Sequence, residues 1–176
     1  MIAAAADLLG ERGLAGTSFS EVTERSGAPR GSIYHHFPRG KDELMAETVV
    51  LVGDRMSALF AHREGETPPQ AVQRIVDAWR EVMVVTECKA GCAIAAITNQ
   101  RASHPALAKR AAKVFVTWER QLEKTLAAAG LPRARAVEAA ALMLAALEGA
   151  LILCRARGGV GPLEAVREAL MTFVER

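Results

Sequence analysis

The sequence predicts an all-α protein, and three features carry that reading. Apolar residues recur at spacings of three and four along nearly the whole chain, β-branched residues never alternate with polar ones over a useful length, and glycines, prolines and capping residues stand where helices would end. At 176 residues the chain can form one or two compact domains around a core that needs no disulfide staples. Half of it is hydrophobic, yet no uninterrupted apolar run reaches the roughly 18 residues that cross a bilayer. Nor do the first residues show a basic patch followed by an apolar stretch, so the expectation is a soluble, cytoplasmic protein with no membrane partner. Three cysteines, an odd number without a secretory signal, predict reduced thiols.

Taken in order, the first helix covers roughly residues 1–13, with Ile2, Ala5, Leu8 and Leu9 on one face and Gly13 as its stop. Leu14 to Thr17 connect it to Ser18, which forms a capping box with Glu21 and opens a short helix to about Ser26. Gly27 supplies the left-handed residue that ends it. Pro29 suits the first turn of a third helix, because its φ is already helical and it has no N–H to leave unpaired; Pro38 closes that helix at Phe37. Two short helices around a three-residue turn containing glycine form a helix-turn-helix. Longer helices follow at roughly 41–63, 68–87, 92–103, 105–129, 133–156 and 162–175, punctuated by Pro68-Pro69, Gly91, Pro105, Gly130-Leu131-Pro132 and Gly158-Gly159 through Pro162. The expected boundary lies near Gly40, giving a small unit at 1–40 and a larger one at 41–176.

Charge is informative only locally. The net charge is +2, and the first 45 residues carry 5 basic against 6 acidic side chains. Between Glu24 and Asp42, however, there is no acid, while Arg25, Arg30, Arg39 and Lys41 fall in or at the end of that window beside His35 and His36. On a helix, Ile33 and Phe37 point inward toward Phe19, Val22 and Leu8 or Leu9, which leaves Arg30, Gly31, Ser32, Tyr34 and His35 on the opposite face. Glycine inside a helix costs about 1 kcal/mol relative to alanine, and close approach of the Gly31 backbone to DNA would offset that. Arg30 is the expected base reader, since its fork bonds guanine O6 and N7 together. Ser32 would touch a base edge or a phosphate, Tyr34 and His36 phosphates, and His35 is a weaker candidate. Ser18 and Lys41, at helix starts, would aim free amides and a cation at the backbone. The competing structural reading has Arg30 and Lys41 merely solvated and Tyr34 closing the small core.

The run Thr17-Ser18-Phe19 through Gly27, continuing as Gly31-Ser32-Ile33-Tyr34-His35-His36-Phe37 and Gly40-Lys41-Asp42-Glu43-Leu44, resembles the DNA-binding domain of the TetR/AcrR family over about 45 residues. Ala28-Pro29 stands where that family often has Val-Ser, and the chain opens directly at Met1-Ile2 where members usually carry a basic extension. Phe37-Pro38-Arg39-Gly40-Lys41-Asp42-Glu43-Leu44, with its extra residue, and Ala90-Gly91-Cys92-Ala93-Ile94-Ala95-Ala96 are similar to the LmrA/YxaF-like branch. The resemblance implies a ligand-responsive repressor that releases a palindromic operator when a small hydrophobic molecule enters a cavity inside the larger domain.

Trp79, Met83 and Thr86 share one helical face, as do Phe115, Trp118 and Leu122, and Met143, Leu147 and Leu151. Such stripes are ordinarily core. Their Trp and Met content, with Asn99, Gln100, Thr117 and Glu148 nearby in sequence or phase, makes Trp79, Met83, Phe115, Trp118, Met143 and Leu147 the candidate contacts for a neutral or cationic apolar effector. Val137, Ala141, Leu144 and Leu151, then Leu163, Val166, Leu170, Phe173 and Val174, form a C-terminal apolar stripe that a second copy would cover in a four-helix bundle. Such a homodimer would set its recognition helices about 34–36 Å apart, one turn of double-stranded DNA.

Cys88 and Cys92, four apart, could share a helix face and, with His104, form a redox or metal site; two ordinary thiols near the core are the simpler expectation, and no metal or cofactor is expected. The chain holds no phosphate-cradling glycine loop, nucleophile elbow or metal-binding histidine pair, so it does not read as an enzyme. A thiol enzyme using Cys88 or Cys92 is the best catalytic alternative, and it lacks a placed base. A helical small-molecule-binding protein without DNA binding is the remaining one.

Overall fold

The computed structural model describes residues 1–175. Among these there are nine helices and no strand: α1 (Ile2–Arg12), α2 (Phe19–Ser26), α3 (Ser32–His36), α4 (Lys41–Phe60), α5 (Pro68–Val85), α6 (Ala93–Thr98), α7 (Pro105–Ala128), α8 (Arg133–Arg157) and α9 (Gly161–Glu175). The all-α expectation holds. Two compact units result, one of residues 1–55 with 91–115, the other of residues 56–90 with 116–175. The unit that holds the first three helices thus also takes in much of α4, all of α6 and the start of α7.

In the first unit Leu8 and Leu9 of α1, Val22 of α2, Ile33 of α3, Phe37, and Leu44 and Met45 of α4 are buried. The capping box of α2 forms as the sequence predicts: the Glu21 amide donates to Ser18 Oγ at 3.2 Å, and the Ser18 amide donates to Glu21 Oε2 at 2.9 Å. Gly27, at φ 67°, closes that helix in the left-handed region.

Several expected helix limits shift, α4 ending at Phe60 rather than 63 among them, and three of the shifts have a local reason. α3 begins at Ser32 rather than near Pro29, because Pro29-Arg30-Gly31 is a tight turn closed by the Ser32 amide on the Pro29 carbonyl at 2.9 Å. α6 stops at Thr98 instead of reaching 103. Pro105 disfavours a helical residue at His104, and the chain resets through turns in which Ser103 and His104 amides donate to the Gln100 carbonyl at 3.2 and 2.8 Å. α5 ends at Val85 in a Schellman arrangement, with the Glu87 amide on the Val84 carbonyl at 3.1 Å and the Cys88 amide on that of Met83 at 2.7 Å.

That ending puts two non-glycine residues in succession at positive φ, Glu87 at 50° and Cys88 at 58°. Glu87 holds the position where glycine is favoured, and its exposed pair with Lys89 contributes little. Glu87→Gly is therefore expected to raise stability by about 0.5–1 kcal/mol, relief of the left-handed penalty outweighing the added freedom of the unfolded chain; thermal melting checks it.

The second unit is organised around α8 and α9, which pack along each other and against α5. Phe60 and Trp118 meet edge to face, 5.9 Å between centroids, and buried Thr125 donates to the Phe60 carbonyl at 2.6 Å. The C-terminal stripe does not share one environment. Leu151, Leu163, Leu170 and Val174 are buried within their own unit, Leu144, Val166 and Phe173 are half-buried, and Val137 and Ala141 are exposed, as are Leu142, Ala145, Ile152 and Leu153 of α8 outside the stripe. The sequence pattern marks apolar positions but cannot distinguish a seam inside one subunit from a face outside it. The apolar-run argument also needs correction: α8, with only sparse charge, is by length and composition long and apolar enough to span a membrane. Its row Ala136, Ala139, Ala140, Met143, Leu147, Ala150, Leu151 and Cys154 is nonetheless buried inside the unit, as in the core helix of a globular domain.

Candidate nucleic-acid interface

Most of the basic stripe is consumed internally. Arg25 makes a two-pronged contact with Glu11, both bonds 2.9 Å, which ties α2 to α1. Arg39 donates to Glu43 at 2.8 and 3.1 Å, and that partner pushes the Glu43 carboxyl below its usual range. The Lys41 ammonium donates to the Leu14 carbonyl at 2.5 Å, holding the α1–α2 connection onto the start of α4. Outside the stripe, Arg12 pairs with Glu21 at 2.9 Å, and the Glu21 carboxyl is lowered chiefly by the Ser18 amide and hydroxyl.

Arg30 differs. It stands exposed on the turn ahead of α3 and, among the described residues, engages no carboxylate. A guanidinium has five donors and no way to lose its charge, so it is free for an external acceptor. Beside it Gly31 is exposed with no atom within 4 Å of a Cβ built on it, and Ser32 donates its hydroxyl back to the Pro29 carbonyl at 2.7 Å. Tyr34 is 66% exposed; its ring lies edge-on to Phe19 at 5.4 Å, so it does not close the core. His35 and His36 are exposed, ring centroids 5.7 Å apart. Ser18 is occupied as the cap of α2. Arg30, Gly31, Tyr34, His35 and His36 are thus each exposed on α3 or the turn ahead of it, and Ser18 and Lys41 take roles that build the fold.

This arrangement, a capped short helix, a glycine turn, and a second short helix whose buried Ile33 and Phe37 leave donors outward, is a helix-turn-helix, and the comparisons agree. Residues 1–48 match the family model described as bacterial regulatory proteins, tetR family. Residues 68–169, more than half the chain, match the C-terminal domain described as transcriptional regulator LmrA/YxaF-like. The chain belongs to the TetR family of transcriptional regulators. It is 37% identical to an HTH-type transcriptional regulator of Mycobacterium tuberculosis, covering 99% of this chain and 92% of that protein. It is 28% identical to the regulator YxaF of Bacillus subtilis, covering 94% and 88%. Among solved structures, a TetR transcriptional regulator from Legionella pneumophila has the same fold with a TM-score of 0.86 at 22% identity, covering 98% and 94%. A transcriptional regulator from Rhodococcus gives 0.74 at 26% identity, covering 98% and 92%.

In this TetR-family chain the effector candidates separate by unit. Met83, Trp118, Met143 and Leu147 are buried in the second unit and Trp79 is half-buried there; Phe115, half-buried, belongs to the first. Cys88 and Cys92 share no helix face: Cys88 sits in the left-handed turn after α5, and Cys92 caps α6 with its sulfur accepting from the Ala95 amide at 3.4 Å. The helix that their spacing suggests does not form, because α5 has already ended at Val85 and α6 starts only at Ala93. His104 faces Asp42 instead, Nδ1 to Oδ1 at 3.5 Å.

Proposed function

We propose that this TetR-family regulator is a cytoplasmic repressor which holds a palindromic operator as a homodimer and releases it when a small hydrophobic effector binds. The observation that carries the reading is the charge accounting around α3. Arg25, Arg39 and Lys41 are taken up by internal contacts, whereas Arg30 on the turn ahead of α3 and Tyr34, His35 and His36 of α3 stay exposed, which suits a short helix entering the major groove. In this reading residues 1–40 are the DNA-binding domain and 41–176 the effector and dimerisation domain. Arg30 reads a base; Gly31 lets the backbone come close; Ser32, Tyr34, His35 and His36 position the phosphates, with Ser18 and Lys41 at the adjacent helix starts.

The exposed side of α8, Val137, Ala141, Leu142, Ala145, Ile152 and Leu153, is the surface a second copy would cover. Half-buried Trp79 and buried Met83, Trp118, Met143 and Leu147, all in the second unit, are the aromatic, thioether and apolar side chains that would suit a neutral or cationic apolar compound. Effector binding would work by favouring the conformer whose head spacing does not match one DNA turn, which requires different affinity for the two conformers. No part of this scheme calls for an enzymatic step.

Fluorescence anisotropy on DNA from the protein's own promoter region is the test. Arg30→Ala is expected to reduce the preference for operator over scrambled duplex by about 5- to 150-fold, the equivalent of one bidentate base contact. Lys41→Ala is expected to lower the slope of log affinity against log salt by about 1 without changing which sequence is preferred. An Arg30→Ala protein with unaltered preference, or a chain that sediments as a monomer at micromolar concentration, would defeat the proposal.

A further inference from the structure

We propose that Cys88 and Cys154 are a paired oxidation site, which a two-electron oxidant of the peroxide class closes into an intramolecular disulfide, giving the regulator a second input besides its effector. The second input rests on the repressor reading; the disulfide does not.

Three observations support the pairing. The first is register: Asp77 meets Arg167 at 3.6 Å and Arg80 meets Glu164 at 3.3 Å, so α5 and α9 run antiparallel, three residues forward on one for three back on the other. Continued past Arg80, the same register brings the end of α5, with Cys88, to the turn between α8 and α9. Cys154 lies in the last turn of α8, just ahead of that connection. Its carbonyl accepts the Gly158 and Gly159 amides at 2.8 and 3.3 Å. The second observation is burial, since both thiols are reduced and enclosed in the same unit, Cys88 at 9% exposure and Cys154 at 0%. The third is that Cys88 lies near enough to add, after burial, to the upward push on the Cys154 thiol.

The difference in exposure assigns the order of events. Burial pushes the Cys154 thiol up and keeps it protonated in the reduced protein, so Cys88, at the edge, meets the oxidant first. The Cys88 thiolate attacks one oxygen of hydrogen peroxide and displaces hydroxide, which leaves Cys88 as a sulfenic acid. The Cys154 sulfur, giving up its proton, then attacks the Cys88 sulfur and expels that oxygen as water. Two thiols lose two protons and two electrons, and one peroxide becomes two waters. Cys88 reaches this position only because the Schellman turn holds its amide on Met83 and its φ at 58°. Cys92 is occupied as the cap of α6. The bond would close residues 89–153 into a loop, and that loop carries α6 together with the portion of α7 that folds with the DNA-binding helices.

The full chain, treated with hydrogen peroxide, alkylated and mapped by mass spectrometry without reduction, is expected to yield one cross-linked peptide pair joining Cys88 to Cys154, lighter by two hydrogens. It should revert with dithiothreitol, and Cys92 should be recovered alkylated. Operator affinity, measured by anisotropy before and after oxidation, is expected to change by roughly fivefold or more and to stay constant in Cys88→Ala and in Cys154→Ala; if the buried Cys154 variant does not fold, Cys88→Ala alone decides. A bond that includes Cys92, a bond between two chains, or Cys88 driven to sulfinic acid without linkage overturns the site. Unchanged affinity in a fully cross-linked sample overturns the second input and leaves the site standing, while a chain that binds no DNA at all refutes the repressor reading without touching the peptide map.

Discussion

Arg74→Ala is expected to destabilise the protein by about 3–5 kcal/mol, a fall in Tm of roughly 6–20 °C for a chain of this size, read by calorimetry. The reason lies in what one guanidinium gathers. Helix α4 ends at Phe60 with carbonyls that have no partner inside the helix. Arg74, reaching across from α5, donates to two carbonyls there: Nη1 to Leu59 and Nη2 to Ala61, the latter at 3.1 Å. Its other edge grips Glu66 at 2.6 and 2.9 Å, and the two side chains are only 13% and 8% exposed. Cutting the guanidinium away leaves a nearly enclosed carboxylate and two bare carbonyls together, which is why the loss exceeds that of a surface pair. Lysine, with a compact head, cannot replace the fork, so Arg74→Lys should recover only part of the stability.

The clasp also has a pH signature. Arg74 holds the Glu66 carboxyl below its ordinary value of 4.5, so the native state favours the ionised form. The stability this contributes is complete above the unfolded carboxyl's range and is lost as pH falls through the lower folded value. Wild type should therefore weaken through that acidic window more steeply than Arg74→Ala does. A variant that melts within about 1 kcal/mol of wild type, with the same acid limb, would show that water satisfies these groups as well as the arginine does.

What the sequence made legible was whatever depends on neighbours in the chain. Ser18 with Glu21, Gly27, Pro38, Pro105 and Gly158 act within one helical turn, and the helix limits they imply survive with small shifts. Long-range pairing was not legible. Nothing near Arg25 in sequence announces Glu11, nothing near Lys41 announces the Leu14 carbonyl, and Arg74 collects groups 8 to 15 residues away. The consequence for the DNA-facing surface is direct, because a window of cations reads as one basic patch until the partners of Arg25 and Arg39 are seen. A spacing of four likewise suggested a single face for Cys88 and Cys92, whereas the helix ends ahead of the first and a new one starts after the second. The α8–α9 stripe shows the same limit, since periodicity reports which residues avoid water but not which surface they avoid it against.

Gly10→Ala shows how such a hidden contact reverses an expected sign. Within a helix that exchange ordinarily stabilises by about 1 kcal/mol, and α1 has no proline or kink to argue otherwise. In this fold the added Cβ would lie 2.4 Å from the Gly91 carbonyl oxygen and 3.4 Å from its carbon, inside any permitted contact. The obstacle is backbone just ahead of α6, so no rotamer change relieves it and one segment must move. A net loss of about 1–3 kcal/mol is expected, with weaker operator binding wherever the shifted helix carries α2 and α3 with it. Gly31→Ala is the matched control: its backbone is already α-helical, at φ −73° and ψ −23°, and no atom lies within 4 Å of the new Cβ. That variant should melt no lower than wild type, so any operator binding it loses reports on the approach of DNA to that backbone rather than on folding. If Gly10→Ala instead matches or exceeds wild-type Tm, the close packing of α1 on Gly91 is wrong, and the first unit's internal arrangement must be revised around it.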